Sequence, residues 1–330
     1  MKKIVCCGVL AGDEPVLENL RREGFELAFP LGPHGIPRSA EDTEKVLDAL
    51  AGAEGFISGG MHVDDAVLDR APGLKAVVFC GVGYASFIDA SACRRHKVAL
   101  GFCPGANARA VAEFSSALLT SALKDLAWFN KQVKDGIWLS RSTPDIFDQV
   151  LGFIGFGNVG VRLARIMRRG YGCRVLYHAR SAKEDAEREL DAQRRDLEGL
   201  LAESSVVIVS VTWSEETTGL INRERISRMR DGALLLNLSR SEIVDTPAVL
   251  EALETGKLSK YITDVFHPDS ITAEEALAWK GKYPDDKRCI VTPHTSWASP
   301  NTARETSIMA VETMRKLLNG EDVPNQVRFT

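Results

Sequence analysis

No apolar run in this chain reaches the ~18 residues that a membrane-spanning helix needs, so no helical membrane span is expected. Neither sign of charge dominates: 41 Lys and Arg face 45 Asp and Glu, for a net charge of −4. That balance points away from nucleic acid and from an anionic membrane surface as partners. Metal-ligand spacing is missing too. The seven cysteines (Cys6, Cys7, Cys80, Cys93, Cys103, Cys173 and Cys289) make an odd count without zinc-type pairing. Reduced, mostly buried thiols in a cytoplasmic protein are expected, with no metal site. Cys6 and Cys7 are adjacent, so on a strand they would face opposite ways. Repeats and low-complexity tracts are absent. What remains is an ordinary globular composition, 45% hydrophobic and 26% charged over 330 residues, long enough for two domains with buried cores. Met1-Lys2-Lys3 before the apolar Ile4–Leu10 loosely imitates a signal peptide, but the apolar part is short and reads as a first strand.

The strongest positive signal is Val150-Leu151-Gly152-Phe153-Ile154-Gly155-Phe156-Gly157-Asn158-Val159-Gly160. A short apolar strand runs into G-x-G-x-x-G and then into a helical pattern over Val161–Arg169. Each glycine has a physical task. Gly155 allows the tight turn, Gly157 lets a pyrophosphate approach the backbone, and Gly160 permits close helix–strand packing. Phosphates would then meet free N–H groups at a helix N-terminus, where the dipole favours negative charge. A dinucleotide site at Gly155, Phe156, Gly157, Asn158, Val159 and Gly160 is the expectation, against an ordinary strand–helix turn as the plainer alternative.

A second strand, Cys173–His178, follows. An NAD site usually carries Asp or Glu about 20 residues past the glycines to hold the ribose 2′-hydroxyl. Here the strand ends in His178-Ala179-Arg180-Ser181. No carboxylate is present to repel a 2′-phosphate, Arg180 can pair with one, and Ser181 can donate to it. NADP is therefore the preferred cofactor on this reading, with NAD possible if Arg180 is only a solvated surface residue.

Alternating strand and helix patterns fill the N-terminal third. Ile4–Val9, Glu26–Phe29, Gly55–Ser58 and Ala76–Phe79 read as strands; Glu14–Glu23, Glu41–Ala51 and Val63–Arg70 read as helices. Gly81-Val82-Gly83 and the Gly101–Gly105 stretch follow strands, at carboxyl ends where open sheets bind ligands. One long helix is expected over Ala108–Asn130. After the glycine motif, further strands read at Val206–Val211, Ala233–Asn237, Tyr261–Asp264 and Cys289–Thr292. The last helical pattern, Thr302–Leu318, has no obvious place in the dinucleotide unit and is expected to pack back on the first.

Charged groups mark three of these later strand ends: Arg240 after Asn237, the pair Asp264 and Asp269, and His294 after Thr292-Pro293. An arginine, two carboxylates and a histidine at the mouth of a dinucleotide sheet suit hydride and proton transfer. Reducing a carbonyl needs a proton donor with a near-neutral pKa, which histidine supplies. A neighbouring carboxylate stabilises the imidazolium. A guanidinium can grip a carboxylate and polarise an adjacent ketone. Taken singly, each could be a turn, cap or surface residue.

Together these blocks resemble the D-isomer-specific 2-hydroxyacid dehydrogenase family over nearly the whole chain. Gly81-Val82-Gly83-Tyr84 is similar to its substrate-carboxylate loop, Pro104-Gly105-Ala106-Asn107 with Val111-Ala112-Glu113 to its interdomain helix, and Thr217–Asn222 with Met229 and Gly232-Ala233 to a further block. Asn237–Asp245 resembles its N-x-x-R-G-x-x-V-D segment, and Thr292-Pro293-His294 its histidine segment.

The resemblance implies two doubly wound parallel-sheet α/β domains. A Rossmann domain over 104–297, which binds the dinucleotide, would be inserted into a flavodoxin-like substrate domain of 1–103 and 298–330. It further implies that Arg240 binds the 2-keto-acid carboxylate, that His294 is the acid/base and Asp269 its partner, and that Asp264 faces the nicotinamide end. Val82 and Gly83 amides would hold substrate, and Asn107 would touch the cofactor. Trp297 resembles the glycerate, glyoxylate and hydroxypyruvate branch. A homodimer through the 108–130 helix is a further implication. Departures from the pattern are Ser241 for glycine, Asp269 for the usual Glu, Ala85-Ser86-Phe87 after the tyrosine, and a long Ser270–Arg288 segment. The activity implied is reduction of a small 2-keto acid to the D-2-hydroxy acid. The competing function is a dinucleotide-sensing interaction protein of the corepressor type without significant turnover.

Overall fold

The computed structural model describes residues 1–8, 15–32, 35–265 and 287–329. They form two compact units, 1–107 with 298–330, and 108–297.

The first unit is a five-stranded parallel sheet. Its strands are β1 (Lys2–Cys7), β2 (Phe25–Ala28), β3 (Gly55–Ser58), β4 (Ala76–Phe79) and β5 (Ala99–Phe102), in the order β2-β1-β3-β4-β5. Parallel strands are covered on both faces, which is why they read as near-continuous apolar runs. In β1, Ile4 and Cys6 enter one core and Val5 and Cys7 the other. The adjacent thiols thus part to opposite faces, and burial pushes both up to about 12. All seven cysteines are free thiols. Helix Pro300–Leu318 starts at Ser299, whose hydroxyl accepts from the Thr302 amide (3.0 Å), with Pro300 preset for a first helical turn. Its Ala310, Val311 and Met314 are buried in the core on one face of this first sheet. The chain therefore returns to the first unit after completing the second.

Seven parallel strands build the second unit: β6 (Val150–Ile154), β7 (Arg174–His178), β8 (Gln193–Arg194), β9 (Val206–Val209), β10 (Ala233–Asn237), β11 (Leu258–Thr263) and β12 (Cys289–Val291). Their order is β12-β11-β10-β9-β6-β7-β8. Strand order reverses beside β6, so the glycine turn lies at the switch point where doubly wound sheets bind ligands. Val206, Val207, Ile208 and Val209 are wholly buried. Each contributes on the order of 1.5–3 kcal/mol relative to an exposed side chain.

The helix expected over 108–130 is two helices, Ala108–Leu123 and Leu126–Lys134, broken where Asp125 takes φ 50°. Asp is among the few residues that tolerate this left-handed conformation. The carboxylate is 4% exposed and pairs with Lys260 on β11 and with Arg141, whose guanidinium lies 4.7 Å from the Trp128 ring centroid. Burial opposes the charged carboxyl, but the bonds from Lys260 and Arg141 more than offset this and hold it below the usual range. The chain bends here to bury an ion cluster that helical periodicity does not register.

Candidate active site

The glycine turn leaves β6 with Gly155 at φ +88°, and a Cβ there would come 2.7 Å from the Ser210 carbonyl oxygen. Only glycine fits. The Ser210 hydroxyl donates to the Gly155 carbonyl (2.7 Å), tying this turn to the end of β9. Gly157 precedes helix Asn158–Tyr171, whose N-terminus has no side-chain cap. A Cβ on Gly157 would meet no atom within 4 Å. The space above it and the uncapped amides of the first turn fit a pyrophosphate. The Phe156 side chain is buried and stacks on Tyr177, ring centroids 4.6 Å apart. What Phe156 can offer a dinucleotide is therefore its backbone. At the end of β7, Ala179 packs on the core while Arg180 and Ser181 are exposed.

The charged residues gather at the carboxyl ends of β10, β11 and β12, which are neighbours in register: Asn237 lies opposite Thr263, and Thr263 opposite Val291. Asn237 is fully buried. Its side-chain oxygen accepts from the Ser239 amide (3.0 Å) and its nitrogen donates to the Arg240 carbonyl (2.9 Å), which fixes the peptide carrying the guanidinium. The Arg240 side chain donates to the Ser239 carbonyl (2.9 Å). Ser241 sits in a short 3-10 turn, Ser241–Ile243, outside the positive-φ region, so serine does not strain the backbone there. Asp245 closes the motif by capping helix Thr246–Glu254 at the Ala248 amide (3.1 Å).

His294 has φ 48°, in the left-handed region that costs a non-glycine residue on the order of 1–3 kcal/mol and in which His, like Asp, is enriched. Its N–H donates to the Thr292 carbonyl (3.0 Å), closing a turn around Pro293. Asp264, 1% exposed, holds this turn from below. One carboxylate oxygen accepts from the Thr292 hydroxyl (2.5 Å) and the Thr295 amide (3.1 Å), and the other accepts from the Ser296 amide (2.8 Å). All three donors belong to the loop that carries His294. Sequence reasoning misses Thr292, Thr295 and Ser296 as a set because their common partner lies 28 to 32 residues earlier. Trp297 is half-buried just beyond them. Asp269, the expected partner of His294, lies outside the described residues, as does most of the long segment after it.

Val82, Gly83 and Asn107 belong to the first unit. Val82 and Gly83 follow β4 and lead into a 3-10 turn, Tyr84–Ser86, where the Ser86 amide donates to the Gly83 carbonyl (3.3 Å). Among the described residues no group of three or more His, Cys, Asp or Glu is arranged to hold a metal ion, and no helix is long and apolar enough to cross a membrane.

Residues 116–296 match the family model described as D-isomer specific 2-hydroxyacid dehydrogenase, NAD binding domain. The chain is 32% identical over 295 residues to glyoxylate/hydroxypyruvate reductase B of Erwinia tasmaniensis, covering 88% of this chain and 89% of that protein. It is 31% identical over 275 residues to glyoxylate reductase of Thermococcus kodakarensis, covering 81% and 80%. A crystal structure of a protein from Thermus thermophilus superposes with a TM-score of 0.82 at 30% identity over 99% of this chain and all of that one. With a matching dinucleotide-binding region and relatives at this identity over four-fifths or more of both chains, the chain belongs to the D-isomer-specific 2-hydroxyacid dehydrogenase family and is an oxidoreductase that uses a nicotinamide dinucleotide.

Proposed function

We propose that this protein is a cytoplasmic NADPH-preferring reductase of small 2-keto acids, glyoxylate and hydroxypyruvate foremost, giving the D-2-hydroxy acid. The observation that carries the reading is Arg240 and His294 at the carboxyl ends of β10 and β12, on either side of β11, in the sheet that bears the glycine turn. The glycine turn at 155–160 would hold a reduced nicotinamide dinucleotide, which when bound would supply the hydride. Arg240 grips the substrate carboxylate and polarises the ketone, and His294 delivers the proton to the carbonyl oxygen. Asp264 positions the His294 loop, and Asp269 is the proposed partner of the imidazole. On the first unit, the amides of Val82 and Gly83 are assigned to the substrate carboxylate and Asn107 to the cofactor. Trp297 is assigned to the substrate pocket. Relatives named as reductases favour turnover over the sensing alternative. Oxidation of NADPH with a panel of small keto acids tests it, and the absence of turnover with every one would sink the reading. Free thiols throughout suit the reducing cytoplasm, which cell fractionation checks.

Cofactor preference rests on the exposed Arg180 and the missing carboxylate at the end of β7. Arg180→Ala is expected to raise KM for NADPH about tenfold or more and leave KM for NADH nearly unmoved, since a bond to a charged group contributes ~1.5–3 kcal/mol. Adding Ala179→Asp should turn preference toward NADH. Equal effects on both cofactors would count against Arg180 as the selector.

A homodimer is part of the proposal. Helix Leu126–Lys134 has no buried residue, and Leu126, Val133, Ile137, Trp138 and Leu139 are exposed, Trp138 by 91%. Five exposed apolar side chains between positions 126 and 139 suit an interface with a second copy. Sedimentation should give a dimer for the wild type and a shift toward monomer for Trp138→Asp with Val133→Asp. A monomeric wild type would remove this element.

A further inference from the structure

Arg194, on the edge strand β8, is no part of the cofactor signature at the end of β7. Strand pairing sets it opposite Tyr177, immediately before the 178–181 turn. Its guanidinium reaches up to that turn and donates to the carbonyls of Ala179 (3.0 Å) and Arg180 (3.2 Å). The same turn is tied at its far end, where the Lys183 amide donates to the Tyr177 hydroxyl (2.9 Å) and that hydroxyl donates to Glu187. The arch carrying Arg180 and Ser181 is therefore pinned at both feet. The His178 ring at the foot of the arch makes a further contact from Nδ1 to the carbonyl of Arg195 (3.1 Å), the residue after β8.

We propose that Arg194 is a second specificity-determining residue for the phosphorylated dinucleotide, holding the 179–181 arch in the shape that receives a 2′-phosphate and adding its own positive charge beneath it. The inference rests on the NADPH preference proposed above. Two features make the role specific. A guanidinium bound to two peptide oxygens keeps its full charge and uses only part of its donor capacity, so its field remains available to an anion received by the arch. That field acts on a 2′-phosphate and is nearly silent toward a 2′-hydroxyl, so it discriminates between dinucleotides without adding to the affinity for both. Arg194 is exposed, so the effect is screened by salt.

The test is binding of two fragments, 2′,5′-ADP and 5′-AMP, measured by calorimetry, alongside KM and kcat for NADPH and NADH. Arg194→Met should weaken 2′,5′-ADP about fivefold to tenfold, leave 5′-AMP within about twofold, raise KM for NADPH in parallel and leave kcat unchanged. Arg194→Lys, which keeps the charge and can donate to both carbonyls, should recover most of the loss. Raising the salt should erode the wild-type advantage of 2′,5′-ADP more than that of the Met variant. If Arg180→Ala abolishes the preference for 2′,5′-ADP while Arg194→Met retains it, the inference about Arg194 is overturned and the NADPH reading stands. Equal weakening of both fragments by Arg194→Met would likewise overturn it, reducing Arg194 to a general support of the fold. A wild type that binds both fragments alike would overturn the NADPH reading and this inference with it.

Discussion

His294→Ala should lower reductive turnover by about 10²–10⁴-fold, the range for a lost general acid. NADPH binding should stay close to wild type, because the glycine turn and the Arg180 arch are elsewhere on the sheet. The backbone sharpens this expectation. His294 is held at φ 48° by a carboxylate that accepts from residues on both sides of it. Replacing the imidazole leaves all three of those bonds in place, so the loss should be chemical and not a collapse of the loop. The direction of the pH profile follows from the proton's path. The imidazole must carry its proton to reduce a ketone and lack it to oxidise an alcohol. Reductive kcat/KM should therefore fall as pH rises through the titration of His294, and the oxidative direction should gain over the same interval. Pre-steady-state and steady-state rates of wild type and His294→Ala, with fluorescence titration of NADPH as the control, check both statements. A variant that retains turnover within a few-fold would move the proton donor elsewhere.

The site is legible in the sequence wherever one local rule decides it. The G-x-G-x-x-G turn is such a case, because strand, turn and helix are adjacent and each glycine answers to backbone sterics. The strand ends that carry Arg240 and His294 are another, since an apolar run stopping at a polar cluster marks the edge of a buried sheet. The N-x-x-R motif also encodes its own geometry, Asn237 reaching just three residues on to fix Arg240. What stays hidden depends on partners distant in sequence. The apolar spacing of Val111, Leu118, Leu119 and Leu126 runs on through Asp125 as if one helix continued. The break falls at Asp125, whose carboxylate pairs with Lys260, 135 residues later. Asp264 stands in the sequence as a carboxylate at a strand end, and only the fold brings Thr292, Thr295 and Ser296 to it. Arg194 lies on a strand of two residues, too short for any periodicity to register.

Arg240→Lys should lower kcat/KM for the keto acid by more than about tenfold, with NADPH affinity nearly intact, because losing part of a charge-assisted pair costs ~1.5–3 kcal/mol. Lysine keeps the charge but not the fork. A planar guanidinium presents parallel N–H groups that can engage a carboxylate and reach an adjacent ketone at once, whereas an ammonium is a single point of charge on a flexible stem. The surroundings of Arg240 favour the fork. Asn237 fixes the peptide from beneath, and the side chain itself donates to the Ser239 carbonyl, which limits where the guanidinium plane can turn. That preorganisation is lost with lysine even though the strand end is unchanged, so the defect should appear in the chemical step as well as in substrate binding. Two comparisons separate the roles. If Arg240 only binds the carboxylate, KM rises and kcat holds. If it also polarises the ketone, kcat falls too, and it falls most for the slowest-reacting keto acids, where carbonyl activation limits the rate. Saturation kinetics of Arg240→Lys and Arg240→Gln across the keto-acid panel decide between them, and near-wild-type kcat/KM in both variants would place the substrate clamp on another residue.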